Sequence, residues 1–484
     1  MKKIVIFLAL TFIFFNFTYA RIHWVPSAYL ATIQGGIDIA KDSDTVLVLP
    51  GTYYENINFK GKKILVASNY IFDHKDSTIQ KTIIDGNNKA SVVTFNSKED
   101  SSAVIKGFTI MHGSNSWGGG ITCFFSSPTI THNIIRQNVA RELNIFPGAA
   151  LGGGICCYNS SAIIEYNQII KNMSLPGAED VGLGGGICCI GKGAPIIRYN
   201  LIIWNSAEGT NYLQGFGGGI ANVDSAITKI YNNTIINNFA EQGGGGIYNF
   251  TLLSGTKIFS NIVAFNSEGI RVEYTPSFVF RPNSIYNDVW GNVNGNFYGF
   301  SLEVGDTTWG FNLNGVPCDS FYNIIRDPLF VDTANFDFHL LVNSPCIDAG
   351  DPYSPLDPDT TIADMGAFYY PHTPTFVKGD NQNIPVEFEL SQNYPNPFNP
   401  STTIPFSVYG SQFIVHSPIH TTLKIYNIKG QLVKTLVDEE KLPGNYNIIW
   451  DGKDNSGKEV SSGIYFYQLK TKDYTDTKKM VLVR

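Results

Sequence analysis

Short apolar runs separated by Asn and Gly repeat along the first two thirds of the chain. A Gly-Gly-Gly-Ile motif recurs roughly every thirty residues. Its isoleucines are Ile121, Ile155, Ile187, Ile220 and Ile247. A second motif, Asn-x-(Ile/Val)-x-x-Asn, keeps phase with the first and begins at Asn133, Asn167, Asn200, Asn233, Asn261 and Asn287. Two motifs that keep phase in this way indicate a repeat protein in which each unit is one structural element.

The apolar runs are too short for the helices of a helical solenoid, which need about ten residues each. They predict short strands in an all-β solenoid whose coils stack in parallel, about 4.8 Å apart. Equivalent residues then lie above one another, so Ile155, Ile187 and Ile220 should meet in a shared interior. The Asn residues should form ladders at the turns, because Asn tolerates left-handed backbone and its amide can bond the Asn of the next coil. Less regular coils are expected to continue to about Tyr370.

The open end of a solenoid must be covered. Leu30, Ile33, Ile37 and Ala40 recur at helical spacing within residues 29–41. This segment is the predicted N-terminal capping helix.

The first twenty residues have the pattern of a secretory signal peptide. Lys2 and Lys3 precede an apolar run from Ile4 to Phe17, and the segment ends in Ala20. The alternative is an uncleaved membrane anchor, for which the run is short. No later segment has about 18 apolar residues, so no transmembrane segment is expected in the mature chain.

The pattern of apolar and polar residues changes near the end of the chain. Residues 371–389 are polar and contain proline, which predicts a linker. Residues 390–484 begin with an Asn-Tyr-Pro-Asn-Pro-Phe-Asn-Pro run that excludes helix, and alternating strands follow, punctuated by Gly and Asn. They predict a small antiparallel immunoglobulin-like β-sandwich.

Two resemblances extend this interpretation. Residues 49–53 (Leu-Pro-Gly-Thr-Tyr), 344–350 (Ser-Pro-Cys-Ile-Asp-Ala-Gly) and 364–368 resemble segments of pectin-lyase-like proteins. That resemblance implies a right-handed parallel β-helix over residues 21–370. A long parallel β-helix offers an extended groove that matches a polymer, so an extended polysaccharide is the expected partner. The proline-rich run, residues 450–452 and residues 462–466 resemble the C-terminal sorting domain of the type IX secretion system. This second resemblance implies that the type IX secretion machinery is a partner and that the protein is secreted or located at the outer cell surface.

The charge of the chain bears on which classes of partner it can bind. The net charge is −7, only 15% of residues are charged, and Lys and Arg do not cluster in the sequence. Nucleic acid is therefore not an expected partner.

Acidic residues follow the second Asn of five consecutive repeats. They are Glu142, Glu179 with Asp180, Glu208, Glu241 and Glu268. Stacked loops would place them along one groove, and polysaccharide lyases of this fold resemble that arrangement, with Ca²⁺ on the acids and Lys or Arg as base. Arg141 and Lys192 are the nearest basic candidates. A solvated acidic face is the alternative.

Aromatic and sulfur side chains supply the other candidates. Trp117 and Tyr212 lie beside Gly runs and could stack on sugar rings, or simply pack. Cys318 and Cys346 are candidates for a disulfide, since the exterior is oxidising. The remaining cysteines should stack in columns as small apolar side chains, with no metal-binding spacing among them. Their positions are Cys123, Cys157 and Cys189 inside, and Cys156 and Cys188 on the opposite face.

Three functions stay open at this point. The first is binding of an extended polysaccharide, with or without its processing. The second is a noncatalytic adhesin or surface spacer. The third is a Ca²⁺-dependent polysaccharide lyase, for which the sequence contains no recognisable acid–base motif, so enzyme activity is left undecided.

Overall fold

A computed structural model describes residues 20–141, 149–177, 180–209, 215–251, 255–273, 283–372, 388–408, 419–441, 444–472 and 474–483. Residues 1–19 of the predicted signal peptide and most of the predicted linker lie outside these residues. Among the described residues, none of the helices has the length and hydrophobicity of a transmembrane span.

Three long sheets of parallel strands form the rod of a β-helix. Sheet 1 contains Ile22–Val25, Thr45–Val48, Leu65–Ser68, Val104–Lys106, Thr129–Thr131, Ile163–Glu165, Ile196–Arg198, Lys229–Tyr231, Lys257–Phe259 and Asn283–Ile285. Sheet 2 contains Gly51–Tyr53, Thr82–Asp85, Thr109–Met111, Ile134–Arg136, Gln168–Ile170, Leu201–Ile203, Thr234–Ile236, Ile262–Ala264 and Asp288–Trp290. Sheet 3 contains Ile57–Asn58, Val93–Phe95, Ile121–Phe124, Ile155–Tyr158, Ile187–Ile190, Ile220–Asp224, Ile247–Thr251, Ile270–Val272 and Phe297–Tyr298.

Two smaller parallel sheets lie between sheets 2 and 3 along the chain. Sheet 4 contains Ser114–Asn115, Val139–Arg141, Met173–Leu175, Ser206–Ala207 and Phe239–Ala240. Sheet 5 contains Ala149–Leu151, Val181–Leu183 and Gly215–Phe216. The chain therefore passes through sheets 1, 2, 4, 5 and 3 in each of the central coils.

The register of the strands confirms the predicted coils. Ile155 pairs with Ile187, and Ile187 pairs with Ile220, on successive strands of sheet 3. All three are fully buried in one continuous apolar core that extends from Val25 to Val289. Burial of apolar area contributes about 25 cal/mol per Å², so this core is the main stabilising term of the rod.

The Asn residues form two ladders that border sheet 2. In the first, Asn167 Nδ2 donates to Asn200 Oδ1 at 3.1 Å, and the ladder continues to Asn323. In the second, Asn172 Nδ2 donates to Asn205 Oδ1 at 3.0 Å. The ladders satisfy amides that are almost completely buried, which removes the cost of burying them.

Three helices are present in the described part: α1 (Ile33–Ile39), α2 (Tyr70–Asp73) and α3 (Asp76–Lys81). Helix α1 is shorter than the predicted segment and begins after Thr32, whose hydroxyl accepts from the N–H of Gly35. Its Ile33 and Ile37 are buried at the N-terminal end of the core, as expected for a cap.

The segment after the last paired coil does not continue as further coils. Two short antiparallel pairs, Gly310–Phe311 with Pro317–Cys318 and Phe330–Asp332 with Asp337–Leu340, follow, and Thr333–Asn335 is a 3₁₀ turn. Their apolar side chains pack on outward-facing residues of sheet 2, such as Ile262 and Ala264. The expectation of less regular coils up to Tyr370 is corrected accordingly: most of this segment covers the outside of the rod.

The C-terminal residues form two antiparallel sheets around their own core. One contains Glu389–Leu390, Thr402–Val408 and Gly444–Trp450. The other contains Leu432–Lys441, Ile419–Asn427, Gly463–Lys470 and Thr475–Leu482. Trp450 and Phe398 pack in this core with ring centroids 5.6 Å apart, so the proline-rich run is part of the sandwich.

Candidate functional site

The chain makes an outward excursion, which we call the lobe, between sheets 2 and 3. It runs out along sheet 4 and returns along sheet 5 in successive coils. Sheet 5 is lengthened by bridges from Trp117 to Leu151 and from Phe216 to Gly243. The lobe therefore forms a wall beside the outer face of sheet 3.

The Gly-Gly-Gly motif makes the turn from the lobe into sheet 3. Gly152 has a φ of 68°, and a Cβ there would lie 2.1 Å from the carbonyl oxygen of Ile155. Only glycine fits this left-handed, crowded position without strain. The motif thus brings the wall of the lobe close to the strand that follows it.

An apolar groove lies between the wall and the outer face of sheet 3, with a volume of about 320 Å³. Successive coils supply its lining: Val181, Leu183, Ile190, Phe216, Val223, Asp224, Tyr248 and Phe250. Phe216 and Tyr248 stack with centroids 4.5 Å apart. The groove is therefore a surface of aromatic and aliphatic side chains, with carboxylate and hydroxyl groups at its margin.

Trp117 belongs to the apolar cluster that includes this groove. It is half-buried, and its ring stacks on Tyr158 with centroids 4.9 Å apart and lies 5.6 Å from Phe124. The Trp117 ring therefore packs against the ring of Tyr158. The other predicted stacking residue, Tyr212, lies outside the described residues.

A network of charged and polar side chains adjoins the groove at Tyr248. The hydroxyl of Tyr248 donates to Oε2 of Glu273 at 2.9 Å, and burial raises the pKa of this tyrosine. Arg271 contacts Glu273 at 3.2 Å and lies 3.7 Å from the centroid of the Tyr298 ring. The network fixes the Tyr248 ring in place and gives the Glu273 carboxylate a cationic neighbour.

The predicted acidic row is only partly assembled by the structure. Glu208 and Glu241 follow Ala207 and Ala240, which pair on adjacent strands of sheet 4, and Oε2 of Glu241 accepts from the N–H of Gly209 at 2.8 Å. These two acids are neighbours at the tip of the lobe.

The other acids lie elsewhere or outside the described residues. Glu268 is 3% exposed and forms a two-bond ion pair with Arg271, with Oε2 2.8 Å from Nε. Asp180 is half-buried just before sheet 5. Glu142 and Glu179 lie outside the described residues. Among the described residues, no group of three His, Cys, Asp or Glu side chains could hold a metal ion.

The two basic candidates occupy different places. Arg141 ends a strand of sheet 4 and pairs with Leu175, whereas Lys192 lies exposed in a turn after sheet 3. The backbone N–H of Lys192 donates to Oδ1 of Asn159 at 2.6 Å. The structure therefore does not group Lys192 with the acids at the tip of the lobe.

The cysteines form columns as predicted, and all seven are free thiols. Cys123, Cys157 and Cys189 pair in register inside the rod. Cys156 and Cys188 face outward beneath the lobe, where burial raises the pKa of both thiols.

The predicted pair Cys318 and Cys346 lies in the cluster against sheet 2, without a disulfide. Instead, the thiol of Cys346 donates to Oδ2 of Asp288 at 3.3 Å. Burial raises the pKa of the Asp288 carboxyl to about 8.

Sequence reasoning missed the wall of the groove, although a signal for it exists. An apolar residue precedes four of the five Gly-Gly-Gly-Ile motifs: Trp117, Leu151, Leu183 and Phe216. The residue after each motif's Ile is also outward-facing, and it is small or aromatic at Cys156, Cys188, Ala221 and Tyr248. Apolar residues on both faces of a sheet 3 strand indicate that its outer face is covered, or binds something apolar.

The match to a protein-family model lies in the C-terminal part of the chain. The FlgD Ig-like domain family matches residues 409–474. No curated protein matches the chain.

Two solved structures show limited similarity. Dimeric latent PorU from Porphyromonas gingivalis is 21% identical, over 19% of this chain and 9% of that chain, with a TM-score of 0.16. PorZ, a surface component of the type IX secretion system of the same organism, is 18% identical over 19% of this chain and 11% of that chain, with a TM-score of 0.14. The chain thus spans only a small part of either protein.

Proposed function

We propose that this chain is an exported surface protein whose groove binds an extended polysaccharide without cleaving it. The observation that carries the proposal is the lining of the groove by aromatic and aliphatic side chains from successive coils, along the axis of the rod. The carbon–hydrogen faces of sugar rings pack on such surfaces, and a linear polymer presents those faces repeatedly. Asp224 and Tyr248 supply polar groups that can orient the sugar hydroxyls.

Binding is favoured over lyase activity by the state of the acids. Glu268 is neutralised by Arg271, and Glu208 and Glu241 lie at the tip of the lobe, outside the lining of the groove. A lyase needs a base aligned with groups that neutralise the carboxylate of the substrate.

The groove can be tested with the mature full-length chain and a panel of neutral and uronate-containing glycans. Binding is measured by calorimetry, and cleavage by the ultraviolet absorbance of unsaturated products, with and without Ca²⁺. Phe216→Ala should weaken binding about tenfold or more, since truncating a central aromatic anchor typically costs over 1 kcal/mol. Phe239→Ala is the matched control, because Phe239 is half exposed on sheet 4 and does not line the groove.

The outcomes separate the candidate functions. Equal binding by both variants contradicts the assignment to the groove. A Ca²⁺-dependent rise in absorbance that Glu208→Ala or Glu241→Ala abolishes supports the lyase.

A rigid spacer is the second candidate function. It is favoured by the core and Asn ladders, which run through successive coils. Absence of binding to every glycan in the panel supports this role.

Export through a type IX secretion system is also part of the proposal. It is supported by the motifs at both chain ends, and by the packing of the proline-rich run in the sandwich core. Expression in a bacterium with this system, with and without residues 388–484, tests it. Protease accessibility on intact cells should be lost with the deletion, and surface display of the truncated chain contradicts the proposal.

A further inference from the structure

Two lysines face solvent side by side on sheet 1. Lys229 and Lys257 pair in register on adjacent parallel strands, and both are exposed. Adjacent strands lie about 4.8 Å apart, and paired residues point to the same face. Like charges in this position repel each other and destabilise the sheet.

Neither lysine has an ion-pair partner among the described residues, although other exposed lysines do. Lys60 contacts Asp38 at 2.8 Å, and Lys63 contacts Asp100 at 2.6 Å. In a chain of net charge −7, this pair is a local excess of positive charge.

A fixed arginine borders the pair on the preceding coil. Arg198 lies 2.6 Å from Glu165 and donates from Nη1 to the hydroxyl of Tyr231 at 3.0 Å. Tyr231 is on the same strand as Lys229 and directly beside Arg198 in register. Because Glu165 compensates Arg198, this arginine adds little to the positive charge of the two lysines.

We propose that Lys229 and Lys257 bind the oxyanion groups of an anionic polysaccharide that lies along the rod on sheet 1. Each ammonium is a mobile point charge that can meet a carboxylate or a sulfate, and the coil spacing presents the two charges along one line. This site is separate from the groove and goes beyond its proposed function, because it selects the polymer by charge.

The test uses the mature full-length chain with three probes: dextran sulfate, polygalacturonate and neutral dextran. We expect binding to at least one anionic polymer, weakening with added salt, and no binding to dextran. The double variant K229Q/K257Q should lose about tenfold in affinity, a typical sum for two partly exposed charge contacts. K81Q/K89Q removes the same charge from two exposed lysines outside sheet 1 and should leave affinity unchanged.

Further variants keep the test decisive. K229R/K257R should bind as the wild type does, which separates charge from folding, and thermal unfolding checks that all variants are intact. Equal loss in both Gln double variants, or no binding of the wild type to either anionic polymer, overturns the proposal. K229Q/K257Q should lower affinity by the same factor in the wild type and in the Phe216→Ala background, so the site and the groove can fail independently.

Discussion

Oδ1 of Asn200 accepts two hydrogen bonds from Asn167 on the preceding coil, one from the backbone N–H at 3.0 Å and one from Nδ2 at 3.1 Å. Asn200 in turn donates from Nδ2 to the carbonyl of Ile164 at 2.9 Å. All of these groups are buried. A single amide therefore links neighbouring coils and satisfies buried backbone.

Asn200→Ala should destabilise the rod strongly. It removes the acceptor of two buried donors and leaves the carbonyl of Ile164 without this donor. We expect a loss of about 2–4 kcal/mol, measured as a lower midpoint in chemical or thermal unfolding. Asn343→Ala is the control, because Asn343 is exposed, and a similar loss there would contradict the role of the ladder.

Gly152→Ala should also destabilise the protein. The new Cβ would lie 2.1 Å from the carbonyl oxygen of Ile155, at a backbone φ of 68°. The combined strain and repacking should cost about 2–4 kcal/mol. Gly310→Ala is the matched control, since a Cβ there meets nothing within 4 Å. Unchanged unfolding of Gly152→Ala would show that the turn can relax.

Asp288→Asn should change how stability depends on pH. Burial raises the pKa of Asp288 to about 8 in the folded protein, against about 3.9 in the unfolded chain. Between these values the unfolded chain releases a proton that the folded protein keeps, so stability falls with rising pH, by at most about 1.4 kcal/mol per unit. The amide side chain of Asn does not titrate in this range, so the variant lacks this pH dependence.

The stability of Asp288→Asn relative to the wild type should therefore improve from about pH 5 to about pH 8, as measured by unfolding at several pH values. Asp42→Asn is the control, because Asp42 is exposed and accepts a hydrogen bond from the backbone N–H of Lys63. A constant difference for Asp288→Asn across this range would show that the buried carboxyl is ionised throughout.

Arg271→Ala should lower stability by leaving Glu268 buried without its cation. Removing one partner of a buried ion pair typically costs about 3–5 kcal/mol. Glu241→Ala should leave the unfolding midpoint nearly unchanged, because Glu241 is exposed. If both substitutions had equally small effects, Glu268 would be solvated, and the acidic row would again be a candidate surface.

The repeat was readable from the chain because each coil repeats the same physical requirements. Inward Ile155 needs an apolar neighbour above and below, and Asn167 needs an amide at the same height on the next coil. Such requirements recur at one period, so the sequence alone predicted the register of sheet 3, the Asn ladders and the cap that contains Ile33.

The candidate site was harder to predict from the sequence, because the path of the lobe decides which of its residues lie together. Glu208 and Glu241 lie on neighbouring coils, but Glu268 is one position closer to the second Asn of its repeat and bonds to Arg271 three residues later. A shift of one residue reverses the direction of a side chain in a strand. The lengths of the loops did not by themselves predict the direction of the Glu268 side chain.

The sequence by itself determined the coil period, the apolar interior, the polar turns and the two kinds of domain, because these depend on local spacing and on contacts between equivalent residues. Only the tertiary structure decided which outer faces are covered. The lobe lies over sheet 3 and the segment with Cys346 over sheet 2, while Lys229 and Lys257 stay open on sheet 1. Those placements depend on packing between non-equivalent parts of the chain, which no repeat encodes.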